Sequence, residues 1–215
     1  MSGLQLAIRD PPALECGVPS PTPARLAVFA SGRGSNFEAL VAAERAGELG
    51  GTIVALFCDQ PGALAIERAR QHGIEVVCPP TGKPRTRIED EAPWLAALRE
   101  RSIDVILLAG FMRRLHATIL DAFPDRIVNI HPSLLPAYPG LDAIGQAWRA
   151  GVPVSGCTVH LVNAELDAGT ILAQRDVERR DDDTLESFEA RIHQAEHALY
   201  PASVRRLLAG RVARA

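Results

Sequence analysis

Residues 25–47 read RLAVFASGRGSNFEALVAAERAG: an apolar run, a glycine turn, then a stretch whose apolar positions recur at helical spacing as far as Gly47. That is strand, turn, helix. The unit repeats along the chain. TIVALFC (52–58) precedes LAIERARQHG, IEVVC precedes IEDEAPWLAALRERS, IDVILLAG precedes LHATILDAF, and RIVNI runs into HPSLLPAYPG. Continuous apolar strands alternating with amphipathic helices predict an α/β fold, a doubly wound and mostly parallel sheet covered on both faces. Past residue 155 the alternation stops. SGCTVHLV and TILAQRDVE follow one another without a helix between them, which predicts a late antiparallel strand pair, and one C-terminal helix is expected from about Leu185 to Gly210.

At 215 residues the chain suits one domain, placed at 25–212. Residues 1–24 carry five prolines between Pro11 and Pro23 and are expected to form an extended or disordered lead-in. Hydrophobic residues make up 47%, charged residues 23%, and the net charge is -3, an ordinary globular balance. The one compact basic group is Arg113 and Arg114, so nothing asks for nucleic acid. Cys16, Cys58, Cys78 and Cys157 lie far apart with neither zinc nor disulfide spacing, and a reducing cytoplasm is the simplest location. No apolar run reaches the ~18 residues of a membrane helix, and the N-terminus has no basic segment followed by an apolar one.

In such sheets ligands bind beyond the carboxyl ends of the strands. SGRGSN, CDQPG, AGFMRR and NIHPS all fall there and are expected to converge. SGRGSN follows a strand and opens a helix, a place that favours an anion, against the plain alternative of an empty turn. A dinucleotide site built on Gly32, Gly34 and Asp59 is the rival, but Phe37 stands at the third glycine position. Asn129 and His131, two apart on one strand, point to the same face just where the strand ends. They are either a polar pair tying a loop to the sheet or an oxyanion donor beside a proton-moving imidazole. No activated nucleophile accompanies them, since Cys58 reads as a core cysteine, so direct transfer is expected. Asp167, in LVNAELDAGTIL, is either turn chemistry or a third member of the site. His160 and Glu196 are further polar candidates. His193 and His197 have i, i+4 spacing but no third ligand, and are expected on a surface face; no metal site is expected. Asp181 to Asp183 are read as charge and capping for the last helix.

Together, SGRGSN, LAGFMRRL, NIHPSLLPAYPG, GCTVH, ELDAGTIL and QAEHALYP resemble, in order and spacing, the phosphoribosylglycinamide formyltransferase family, folate-dependent enzymes of purine synthesis, over roughly residues 25–210. The resemblance implies 10-formyltetrahydrofolate as co-substrate, glycinamide ribonucleotide as acceptor, and a monomer or homodimer. It makes Asn129, His131 and Asp167 the catalytic trio, with Asn129 and a protonated His131 facing the formyl oxygen and Asp167 organising proton transfer through water. It also assigns Gly34, Ser35, Asn36 and Glu196 to the ribonucleotide, and Met112, Arg113, Arg114, Leu115 and Arg87 to the folate. Two departures stand out. Asp142 and Ile144 occupy positions where the family usually has histidine, and Ala168 replaces a glycine beside Asp167. The rival functions are a formyltransferase for another amine, a formyl-folate hydrolase, a dinucleotide-dependent oxidoreductase, and a non-catalytic nucleotide or folate sensor.

Overall fold

The computed structural model describes residues 22–81 and 88–212. The proline-rich segment through residue 21 and Arg87 lie outside them. The described chain runs β1 (Ala24–Ala30), α1 (Ser35–Arg45), β2 (Gly51–Cys58), α2 (Leu64–Gln71), β3 (Glu75–Val77), α3 (Ala92–Glu100), β4 (Val105–Leu108), α4 (Ala117–Ala122), β5 (Ile127–His131), α5 (Ala143–Arg149), β6 (Val154–Leu161), β7 (Ile171–Glu178) and α6 (Leu185–Val212).

The strands form one seven-stranded sheet in the order β3-β2-β1-β4-β5-β6-β7. β1 to β5 pair in parallel, whereas β5 with β6 and β6 with β7 are antiparallel. The predicted α/β architecture, the late antiparallel pair and the terminal helix are all present. Strand order reverses between β1 and β4, and that reversal opens a crevice at their carboxyl ends.

Alternation along the strands sorts the core onto two faces. Leu26, Val28, Leu56, Leu107, Val128 and Ile130 pack with residues of α1, α2 and α6. Ala27, Phe29, Phe57, Ile106 and Ile127 pack under α3 and α4. Phe29 stacks on Phe57 at 4.9 Å and meets Trp94 and Phe111 at 5.4 and 5.2 Å, so one aromatic cluster joins β1, β2, α3 and the loop after β4. Fully burying side chains of this size is worth about 1.5–3 kcal/mol each. On β5, Asn129 and His131 continue the row begun by Ile127.

Three local readings change. IEDEAPW does not begin as helix: α3 starts at Ala92 with Pro93 in its first turn, where a missing N–H costs nothing. Glu91 instead reaches across to accept from the backbone N–H groups of His116 and Ile119, closing the start of α4. The last helix is capped by Thr184, whose hydroxyl accepts from Ser187 N–H while the Ser187 hydroxyl accepts from Thr184 N–H. Asp183 pairs with Arg191, which holds its carboxyl well below the usual range. The third change is α5, a short helix after the proline-punctuated loop that the sequence reading did not assign.

α6 is tied to the sheet by Tyr200. Its ring is fully buried, and its hydroxyl donates to the carbonyls of Leu108 and Val128 at 3.1 and 3.0 Å, at the ends of β4 and β5. Tyr200→Phe keeps the ring and removes that shared donor. Urea unfolding is expected to show a loss of about 1–2 kcal/mol; an unchanged midpoint would mean that the two carbonyls do not depend on it.

Candidate active site

The loop after β1 is held from two sides. Ser31 N–H donates to Gly110 O, Met112 N–H donates to the Ser31 hydroxyl at 2.8 Å, and Ala65 N–H donates to Gly32 O. Gly34, the residue before α1, has φ 74° and ψ 29°, and a Cβ there would lie 2.8 Å from the Cβ of Ala65. Only glycine fits that turn at no cost. Ser35 and Asn36 then begin α1. Asn36 is buried, donates its Nδ2 to Glu196 Oε2 at 3.0 Å, and leaves Oδ1 buried with no partner. Phe37 is fully buried against the core. Asp59, the acid that a dinucleotide site would need for a ribose, is spent on Arg113 at 2.7 Å with both side chains almost inaccessible.

Asn129, His160, Asp167 and His131 form one chain of side-chain contacts. Asn129 Nδ2 is 3.1 Å from His160 Nε2. His160 Nε2 is 3.7 Å from Asp167 Oδ1, and Asp167 Oδ2 is 3.6 Å from His131 Nδ1. A carbonyl oxygen only accepts, so the carbonyls fix the tautomers. His160 Nδ1–H donates to Leu161 O at 2.9 Å, and its Nε2 is left as the acceptor for Asn129. Burial lowers the imidazole of His160 below its ordinary value, which keeps the ring neutral in this role. His131 Nε2–H donates to Tyr138 O at 2.9 Å, so Nδ1 is the nitrogen that faces the carboxylate.

The loop between β5 and α5 is woven onto the antiparallel strands. Thr158 Oγ1 donates to Ser133 O and accepts from Leu135 N–H, Ser133 Oγ donates to Ala137 O, and Gly140 N–H donates to Asp167 Oδ2 at 2.8 Å. Asp167 has φ 50°, a left-handed conformation uncommon outside glycine. The next two residues explain how the turn is held. Ala168 is exposed, whereas a Cβ on Gly169 would lie 1.7 Å from Leu161 O. The family departure therefore falls on the position with room, and the glycine is kept where none exists.

The side chains of Asn129, His160, Asp167 and His131 line a cavity of about 540 Å³. Its walls include Asn129, His131, Asp167, Asn36 and Glu196, together with Met112, Arg113, Arg114 and Leu115 after β4. Gly34 and Ser35 sit just behind Asn36 and do not line it. The guanidinium of Arg113 is turned back onto Asp59, while Arg114 is exposed and reaches toward Ala164 O at 3.5 Å. His160 and His193, both polar candidates in the sequence, line the wall. His160 was only a polar candidate, although its place opposite Asn129 follows from the register of β5 with β6. His193 was assigned to a surface face, yet it lines the cavity between Glu189 and Glu196. Burial raises the Cys58 thiol to about 11, which suits a core residue and not a nucleophile. Among the described residues no group of three or more His, Cys, Asp or Glu is arranged to hold a metal ion.

Comparison with known proteins agrees with this geometry. The formyl transferase family model matches residues 24–204. Phosphoribosylglycinamide formyltransferase of Bacillus subtilis is 45% identical over 184 residues, covering 86% of this chain and 94% of that protein. Among solved structures, glycinamide ribonucleotide transformylase 1 of Geobacillus kaustophilus superposes with a TM-score of 0.82 at 48% identity, covering 86% of this chain and 99% of that one. Its counterpart from Symbiobacterium toebii gives 0.84 at 38% identity, covering 89% and 91%. With a reversal crevice, a glycine-led helix start and an Asn–His–Asp site in the matched span, the chain belongs to the formyl transferase family.

Proposed function

We propose that the protein transfers a formyl group from 10-formyltetrahydrofolate to the amine of glycinamide ribonucleotide, the acceptor named in the relatives above, in purine synthesis in the cytoplasm. The observation that carries the reading is the chain of contacts from Asn129 through His160 and Asp167 to His131, all four lining one cavity.

The cavity suits the two substrates. Its volume falls within the roughly 300–1,000 Å³ usual for ligand sites. Met112, Leu115, Leu141 and Leu166 give one arm apolar surface for a flat heterocycle. Asn36, Glu189, His193 and Glu196 give the other arm hydrogen-bonding groups. The start of α1 at Gly34, Ser35 and Asn36, where no side chain caps the helix, would take the phosphate at the positive end of the helix.

The folate supplies an activated formyl carbon. Attack by the acceptor amine forms the new carbon–nitrogen bond, the bond to the departing nitrogen breaks, and the proton lost by the amine goes to that nitrogen. Between these events negative charge gathers on the formyl oxygen, so donors aimed at that oxygen lower the barrier without tightening the ground state. Asn129 Nδ2 has one hydrogen on His160 and a second for the oxyanion. His131 can donate from Nδ1 only as the doubly protonated ring, because Nε2–H is held by Tyr138 O. Asp167, beside that nitrogen and anchored by Gly140 N–H, is placed to stabilise the charged ring and to order a water that moves the proton. No covalent enzyme intermediate is needed.

Incubation with glycinamide ribonucleotide and 10-formyltetrahydrofolate is expected to release deformylated folate only when the acceptor is present. Release without acceptor would make the protein a hydrolase, and no release under either condition would overturn the reading. Asn129→Ala, His131→Ala and Asp167→Asn are each expected to lower kcat by roughly 10²–10⁴-fold with unchanged circular dichroism. His160→Asn removes the acceptor that orients Asn129, and kcat is expected to fall by about tenfold with little change in either KM. Because the Gly169 Cβ would strike backbone, Gly169→Ala is expected to cost far more activity than Ala168→Gly in the same assay.

A further inference from the structure

The ribonucleotide arm contains a charge relay that the transfer chemistry does not use. His193 lies on α6 with Glu189 one turn before it and Glu196 one turn after. Its Nδ1 is 2.8 Å from Glu196 Oε2 and its Nε2 is 3.3 Å from Glu189 Oε1. A carboxylate oxygen only accepts, so both contacts are satisfied together only by the doubly protonated ring. The surroundings of the two acids differ. The Glu196 side chain is 3% exposed and Glu189 is 45% exposed. An ionised carboxylate as buried as Glu196 needs a counter-charge, and Asn36 Nδ2 supplies a hydrogen bond but no charge. His193 supplies the charge.

From these contacts we propose that His193 is a positioning residue for the acceptor: while charged it holds the Glu196 side chain fixed in the cavity wall, and affinity for the ribonucleotide falls when it loses its proton. The inference rests on the acceptor assigned above and adds a pH-dependent control of its binding. Loss of the proton leaves a ring lone pair against one of the two carboxylates. The net charge of the three side chains then goes from minus one to minus two beside Asn36 and the helix start proposed for the phosphate. Both changes act against an anionic substrate.

Other groups around His193 do not substitute for this pairing. His197 is on the same helix, and burial lowers its imidazole below the ordinary value. α1 contributes the uncharged Asn36, while Asp142 before α5, His131 on β5, His160 on β6 and Asp167 after β6 line the same cavity. The ion-pair partners of His193 among the described residues are Glu189 and Glu196. The imidazole of His193 lies above its ordinary value, chiefly through the hydrogen bond to Glu196, opposed by burial and reinforced by Glu189. The sign follows. A raised value keeps the bound-state contribution in place at low and neutral pH and loses it as pH rises through that value.

Calorimetric titration of the full chain with glycinamide ribonucleotide alone, from about pH 5.5 to about pH 9, tests the inference in wild type, His193→Gln and Glu189→Gln. The phosphate and amine of the substrate titrate equally in all three, so the quantity read is the ratio of variant to wild-type Kd. For His193→Gln that ratio is expected to be about tenfold at the acid end and to close toward one at the alkaline end. Removing one of two carboxylates lowers the imidazole, so Glu189→Gln is expected to move the loss of affinity to lower pH. A ratio that is flat with pH for His193→Gln, or an unmoved step in Glu189→Gln, overturns the inference. Glu189 is half exposed, and its variant answers the question if His193→Gln does not fold. Turnover with formyl folate in the same wild-type sample separates the two readings. Turnover with a flat ratio removes only the inference, a pH-dependent ratio without turnover removes only the transfer reading, and no binding at any pH removes both.

Discussion

Two backbone carbonyls decide what the site can do. Leu161 O takes the Nδ1 proton of His160, and Tyr138 O takes the Nε2 proton of His131. The first leaves His160 with a lone pair that selects the amide nitrogen of Asn129 and turns it inward. The second leaves His131 Nδ1 as the nitrogen facing Asp167. Neither outcome depends on the side chains' own preferences. Both depend on where the β6 backbone and the loop after β5 come to rest, and that explains the dense hydrogen bonding of residues 133–140 onto Thr158 and Gln174. A ring orientation set by packed backbone needs no reorganisation as charge develops, which is the condition for electrostatic stabilisation to lower a barrier.

The sheet makes that arrangement possible by changing direction. A further parallel strand beside β5 would have required another crossover. β6 instead runs back along β5, so Asn129 faces His160 in register and His131 faces Thr158. β6 ends with Leu161 opposite Val128, and the β6–β7 turn that follows carries Asp167. Its left-handed backbone conformation is a local cost of order 1–3 kcal/mol. The hydrogen bond from Gly140 N–H and the close approach of Gly169 to Leu161 O hold the turn there. Strain at this residue is thus imposed from both sides of the cavity mouth.

Much of this was legible in the residues because the relevant signals are periodic or local. Apolar strands beside helical spacing gave the alternation of β1 to β5, and loss of helical spacing after residue 155 gave the antiparallel pair. Asn129 and His131 declared themselves by standing two apart at a strand end. The misses share one cause, namely partners distant along the chain. Glu91 looked like part of α3 because its true partners, the N–H groups of His116 and Ile119, are a loop away. Asp183 looked like a cap because its pairing with Arg191 lies two turns into α6. His193 and His197 looked like one face of a surface helix, since spacing alone does not reveal that α1 brings Asn36 against Glu196 and makes one side of that face a cavity wall. His160 was visible as a polar residue in a strand, but its meaning required the β5–β6 register.

The departures from the family pattern obey the same physical rule as the retained residues. Ala168 replaces glycine at an exposed position in the turn, while its neighbour Gly169 cannot be replaced without moving backbone. Asp142 stands where histidine is usual, yet its side chain is 63% exposed and is paired with Arg149 at the far end of α5. An exposed pair of that kind contributes little, about 0–1 kcal/mol. Asp142 adopts φ 56° at the start of the helix, a conformation that aspartate tolerates better than most side chains, so the loop can keep its path without the histidine. By contrast the inward-facing Asn129, His131, His160, Asp167, Asn36 and Glu196 are each fixed by a partner from another element. Of the departures, Ala168 and Asp142 are exposed while Ile144 is buried in the cavity wall, and the polar part of that wall is held by contacts among β5, β6, α1 and α6.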